Sequence, residues 1–180
     1  MPLPLGHTAI GLATYELSTN HNSERFSLKT ILILTVLANM PDFDVVVGLL
    51  IKCNGNVFHR GPSHSIIFAL IAGFLASEAW KVSSQIPRIN FGSCFLIILS
   101  HVLADFLFTL SPVSFFWPFE VSWSTGYSDW GDVLNSVFFR GFQDAGIIIG
   151  SILLIISVRL IKAYRQGLSV VKIGFPDVYP

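Results

Sequence analysis

Histidine and aspartate recur in this chain at spacings that could gather a metal ion. His59-Arg60-Gly61-Pro62-Ser63-His64-Ser65 sets two imidazoles and a guanidinium around a Gly-Pro turn. His101 and Asp105 stand four apart in an apolar run, which on a helix turns both to one face and lets them share an ion. Pro41-Asp42-Phe43-Asp44 places two carboxylates at a proline break, where they can address adjacent ions or one ion and its water. Each motif has a plainer counterpart: a His–Asp pair inside a core, a solvated turn after proline, a surface turn at Gly61-Pro62. Those plainer readings weaken when the motifs share one very apolar chain. Only 12% of the residues are charged and mean hydropathy is +0.66. Burying an ionisable group in such surroundings is costly unless it is paired, hydrated or metal-bound.

Composition bounds the rest. The 180 residues make one domain, 1–180. Hydrophobic residues are 52% of the chain, with 16 Phe, above the usual soluble share, so a membrane protein is expected. Net charge is zero and there is no basic stripe, so no nucleic-acid partner is expected. Cys53 and Cys94 form no CxxC motif, which argues against a thiolate metal site. The N-terminus lacks the basic region and cleavage site of a signal peptide, so Met1 onward is expected in the mature protein.

The elements that must position the polar groups are helices. Apolar runs cover 30–51, 65–80, 91–110 and 145–161, with Ser63 and Asp144 as expected N-caps of the second and fourth. At ~1.5 Å per residue, about 20 residues cross the hydrocarbon core, so the first and third runs suffice and the other two are marginal. The reading is an all-α integral membrane bundle of about four spans, with a helix broken at Pro41. The connection 111–143 carries Trp117, Trp123 and Trp130, as interfacial segments do. Arg25, Lys29, Lys81, Arg88, Arg159, Lys162, Arg165 and Lys172 fall on one side of a four-span arrangement, and only Lys52, Arg60 and Arg140 on the other. The positive-inside rule then makes both termini cytoplasmic.

Depth links the motifs. Asp42 and Asp44 lie 11 and 13 residues past Ile31, and His101 and Asp105 lie 10 and 14 past Phe91, on segments entering from one side. Irregular backbone at such depth survives only where protein or a water-filled cavity covers it. His7 reaches this level only if residues 5–18 form a further dipping helix, or if some runs lie on the membrane. Gly11, four residues after His7, would let a neighbouring helix approach closely. Trp117-Pro118-Phe119 reads as an interfacial anchor or turn, Glu78 as interfacial, His21 as solvated, and Asp129, Asp132 and Asp144 as loop or cap residues.

Taken in order, His7, Pro41-Asp42-x-Asp44, His59-Arg60-Gly61-x-x-His64-Ser65, Ser100-His101-x-x-x-Asp105 and Trp117-Pro118-Phe119 resemble the YdjM-type membrane-bound metal-dependent hydrolases over about residues 1–120. The resemblance implies an integral, mostly helical bacterial inner-membrane protein that binds divalent metal. It further implies distant kinship with the zinc-dependent phospholipase C and single-strand nuclease group. Met40 stands where the family usually has Leu, a volume-conserving change, and Val45 where a His frequently follows the second Asp.

The expected site comprises His7, Asp42, Asp44, His59, His64, His101 and Asp105 as metal ligands, with Asp44, Arg60 and His64 in catalytic roles. Mixed imidazole and carboxylate donors without thiolate favour Zn²⁺, with Mn²⁺ or Fe²⁺ as alternatives. The expected chemistry is phosphoester hydrolysis on a membrane lipid or lipid-linked substrate, the ion lowering the pKa of a bound water to about 7 and polarising the phosphoryl oxygen. Asp44 or Asp42 would bridge ions or orient the water, and Arg60 would clamp phosphate oxygens. The alternative is a non-enzymatic membrane protein in which the same groups hold a structural metal or carry ions.

Overall fold

Six α-helices make up the regular structure of the described residues, and none of them forms a strand. The computed structural model describes residues 3–19, 27–109, 111–119, 122–123 and 143–165. His21, Arg25, Trp130, Asp129, Asp132, Arg140 and Lys172 fall outside them. In chain order the helices are α1 (Pro4–Ser18), α2 (Leu28–Ala38), α3 (Phe43–Lys52), α4 (Ile66–Glu78), α5 (Phe91–Phe108) and α6 (Gln143–Arg165), with one-turn 3-10 helices at Pro62–His64 and Ala79–Lys81.

Local chemistry sets the helix ends. Ser27, Ser65 and Asn90 cap α2, α4 and α5, their side-chain oxygens accepting from the N–H groups of Thr30, Phe68 and Ser93. The cap of α4 is thus Ser65 and not Ser63, because Pro62 starts a separate 3-10 turn that carries Ser63 toward Asp44. At the other expected cap, α6 already begins at Gln143, so Asp144 lies in its first turn. Pro41 breaks the first apolar run as expected: α2 and α3 meet at a bend of 56°.

Two helices, α5 and α6, are long and apolar enough to cross a membrane, or three spans exist if the bent α2–α3 pair counts as one. The run at 65–80 yields only 13 helical residues in α4, roughly 20 Å at ~1.5 Å per residue, which is short of the hydrocarbon core. Residues 4–18 do form the further helix that His7 required. The helices alternate in direction. His7 lies against Asp105 and Ser18 hydrogen-bonds Ser93 at 2.8 Å, so α1 runs antiparallel to α5. Arg159 and Lys162 of α6 meet Glu16 near the end of α1, so α6 ends at the Phe91 end of the bundle. The start of α1 and the end of α6 at Arg165 therefore sit at opposite ends of the bundle.

The core gathers Leu34, Leu37 and Ala38 of α2, Ala69 and Ala72 of α4, and Cys94, Ile97 and Ile98 of α5. Close helix approach depends on Gly11 and Gly73. A Cβ on Gly11 would lie 2.6 Å from the Ala38 Cβ, and one on Gly73 2.9 Å from the Phe95 backbone. Outward surfaces are apolar as well: Leu50, Leu75 and Leu153 are all exposed, which suits lipid contact.

Candidate metal centre

The bend at Pro41 and the ends of three other elements converge at one level of the bundle. α1 delivers His7 from its first turns, the α2–α3 break delivers Asp42 and Asp44, and α5 delivers His101 and Asp105 near its C-terminal end. His59, Arg60 and His64 arrive on the loop before α4. Arg60 adopts φ 65°, a left-handed conformation costly for a residue with a Cβ, and its Nε donates to Asp105 Oδ2 at 3.2 Å. The segment 111–119 braces this loop, since Ser114 N–H donates to Arg60 C=O at 3.2 Å and Ile66 N–H to Phe115 C=O at 3.0 Å. Trp117-Pro118, joined by a cis peptide, forms the turn expected there, and Trp117 and Phe119 are exposed.

All seven sequence-proposed ligands and Arg60 come together, and their spacing is informative. His64 Nε2 stands 3.6 Å from Asp42 Oδ1 and 3.5 Å from Asp105 Oδ2. His7 Nε2 is 3.4 Å from Asp105 Oδ1, His101 Nε2 is 3.3 Å from Asp42 Oδ1, and the Nε2 atoms of His64 and His101 are 3.3 Å apart. These separations are mostly longer than good hydrogen bonds. They match the edge of a tetrahedron of donors about 2.1 Å from a central ion, roughly 3.4 Å. Two groups each offer ligand atoms that all lie within 4.8 Å of one another: Asp42, His59, His64 and Asp105, and His7, His101 and Asp105. Among the described residues six buried side-chain polar atoms lack a hydrogen-bond partner, and five of them belong to His7, Asp42, His59 and Asp105. Buried ligand-type atoms without partners are what a bound cation would satisfy.

The outward-facing atoms are held in place. His101 Nδ1 lies 2.7 Å from Ala38 C=O, a carbonyl that can only accept, so Nδ1 carries the proton and Nε2 presents its lone pair to the cluster. Asp44 stands behind two histidines. Its Oδ1 lies 3.1 Å from His59 Nδ1, and its Oδ2 lies 3.3 Å from His64 Nδ1 and accepts from Ser63 Oγ at 2.5 Å. Asp44 was expected among the ligands; both of its oxygens are occupied, and it belongs to neither ligand group. Ser63 was read as a helix cap, yet it sits within the His59–Ser65 motif, whose polar density was the available signal. His64 lies outside the spanning helices. Burial disfavours its charge, but the carboxylates of Asp105, Asp42 and Asp44 outweigh burial and push its pKa up to about 10 in the ion-free site.

The donors are imidazole and carboxylate throughout, and the two cysteines stand free, Cys53 exposed and Cys94 in the core. The sequence profile of YdjM inner membrane proteins matches residues 1–168. The chain belongs to the YdjM inner membrane protein family. The match takes in α6, beyond the motifs that end near residue 120, and makes the chain an integral inner-membrane protein in keeping with its apolar helices. No curated protein and no solved structure matches it. Within this YdjM-family chain, one partnership had no local signal. Glu16, 7% exposed on α1, accepts from Arg159 and Lys162, which lie more than a hundred residues away.

Proposed function

We propose that this YdjM-family protein is a divalent-metal-dependent hydrolase acting on a phosphoester of a lipid or lipid-linked substrate. The observation that carries the reading is the set of donor separations between 3.3 and 3.6 Å around buried atoms that have no other partner. The His and carboxylate set favours Zn²⁺, and Mn²⁺ or Fe²⁺ also suits it. A bound ion would supply Lewis acidity and an ionisable water at neutral pH. The chain's own groups do the rest. Asp42, whose side chain is 18% exposed, is the most open of the ligands and marks the mouth of the site. Arg60 keeps Nε on Asp105 and would offer the rest of its guanidinium fork to phosphate oxygens. The exposed Phe116, Trp117 and Phe119 on the segment bracing the Arg60 loop favour a substrate presented by the bilayer.

The burial of His7, His64, His101 and Asp105, each at most 1% exposed, favours a second reading, in which the metal is structural and its coordination closed. Turnover separates the two. Purified protein with added Zn²⁺ or Mn²⁺ is expected to hydrolyse at least one member of a panel of lipid phosphates and generic phosphoesters. Arg60→Lys should keep metal yet lose most of that activity, because an ammonium cannot reproduce a bidentate fork. Metal-loaded wild type inert across the panel would favour the structural reading, and full activity in Arg60→Lys would remove the arginine from the chemistry.

A further inference from the structure

Over their most apolar stretches, α5 is 44% buried and α6 only 6%. Arg159 and Lys162 tie the end of α6 to Glu16, while its first half and α1 line a groove of about 530 Å³. Ile10 and Leu17 face the groove from α1, Gly146, Gly150 and Leu154 from α6, and Phe108 from the end of α5. Thr14 and Ser151 are the only polar side chains among the described residues that line it, so it suits hydrocarbon and offers little to an ion or a sugar. Gly146 and Gly150 stand four apart, a spacing at which small residues let membrane helices meet. Here no helix meets them: a Cβ on either would find nothing within 4 Å among the described residues.

The groove borders both the bilayer and the metal centre. Ile149 and Leu153, beside Gly150 and Leu154, are exposed, so its open side continues the lipid-facing surface of this inner-membrane protein. Ile10 follows His7 by one turn on α1, and Phe108 follows Asp105 by one turn on α5. Size argues for a chain as occupant. Two turns of helix, about 10–12 Å across with side chains, fill roughly 900 Å³, so a helix lies over such a groove and not in it. An acyl chain is thinner.

We propose that the α1–α6 groove seats one acyl chain of a membrane phospholipid whose phosphate lies toward Arg60 and the His/Asp cluster. The proposal rests on the lipid-phosphoester reading and names the part of the substrate held away from the chemistry. Surrounding lipid is as apolar as the groove, so seating a tail there gains little from leaving water. What it supplies is position: a held tail fixes where the phosphate sits relative to the cluster.

The test is photolabelling of the full chain in phosphatidylcholine vesicles with a phosphatidic acid that carries a diazirine midway along one acyl chain. Labelled peptides are identified by mass spectrometry, and exposed Leu75 on α4 reports the ordinary lipid shell. Wild type should label within 10–17 and 146–154 several-fold above the Leu75 peptide. Unlabelled phosphatidic acid should erase that excess, and diacylglycerol, which lacks the phosphate, should compete poorly. Gly150→Leu and Gly146→Leu place a side chain in open space, so each should keep native circular dichroism and lose the excess. Groove labelling no higher than at Leu75, or unchanged in both variants, overturns the proposal. Equal competition by diacylglycerol overturns the link to the phosphate. A disulfide-linked dimer of Gly150→Cys, in protein with Cys53 and Cys94 changed to alanine, also overturns it, because a second copy would then cover the groove. Labelling in a protein that hydrolyses no phosphoester sustains the acyl seat and rejects the enzymatic reading. Hydrolysis without excess labelling does the reverse.

Discussion

At the scale of single residues, the centre separates groups that face inward from groups that orient them. Asp44 is the clearest of the second kind, because it reaches Nδ1 of both His59 and His64 and receives the Ser63 hydroxyl. Removing such an outer carboxylate while leaving the ligands typically weakens metal binding 10–100-fold. Asp44→Asn is therefore expected to lower affinity by about that factor at unchanged stoichiometry, whereas Asp42→Ala should remove bound metal. A competitive chelator titration reads both, and equal losses in the two variants would make Asp44 a ligand after all. His64 adds a pH dependence. Its proton stabilises the ion-free fold fully below the ordinary pKa of 6.5, and that contribution is lost as pH rises through about 10. Metal must displace this proton, so affinity is expected to climb with pH across that window in the same titration. The residue types and their spacing were legible in the sequence. The separate duties of Asp42 and Asp44 were not, since two carboxylates flanking one phenylalanine look alike until the backbone break points them apart.

At the scale of elements, proline and glycine placed most of the fold. Pro41 announced the break, Gly11 the close approach of α1 to α2 and α5, and the apolar run 91–110 gave α5, whose cap at Asn90 only the structure shows. Helix direction needed tertiary contacts. The Glu16 pairing with Arg159 and Lys162 joins residues too distant for any periodicity to connect, and it anchors α6 at the Phe91 end of the bundle. Lys81 beside Glu78, Arg88 against Trp80, and Arg159, Lys162 and Arg165 crowd that same end. By the positive-inside rule this end is expected to face the cytoplasm, with the His/Asp cluster toward the opposite face. Cysteine at Ser84, in protein with Cys53 and Cys94 changed to alanine, is expected to resist an impermeant thiol reagent outside intact cells. Cysteine at Ser111 should react. The reverse pattern would invert the orientation.

At the scale of the whole molecule, an apolar exterior suits lipid while a dense cluster of His and Asp side chains lies between helices. In a chain with 12% charged residues, drawing three aspartates and four histidines into that space is a large electrostatic commitment. Two carboxylates in the ligand groups and several unpartnered ring nitrogens leave the cluster short of positive charge that a divalent ion would supply. The most direct measurement is therefore the metal content of protein extracted in mild detergent, purified without chelator or a metal-binding tag. Wild type should carry about one to two ions of a zinc-like metal per chain, and the His101→Ala/Asp105→Ala double variant should lose most of it. Equal, near-zero metal in both proteins would contradict the account.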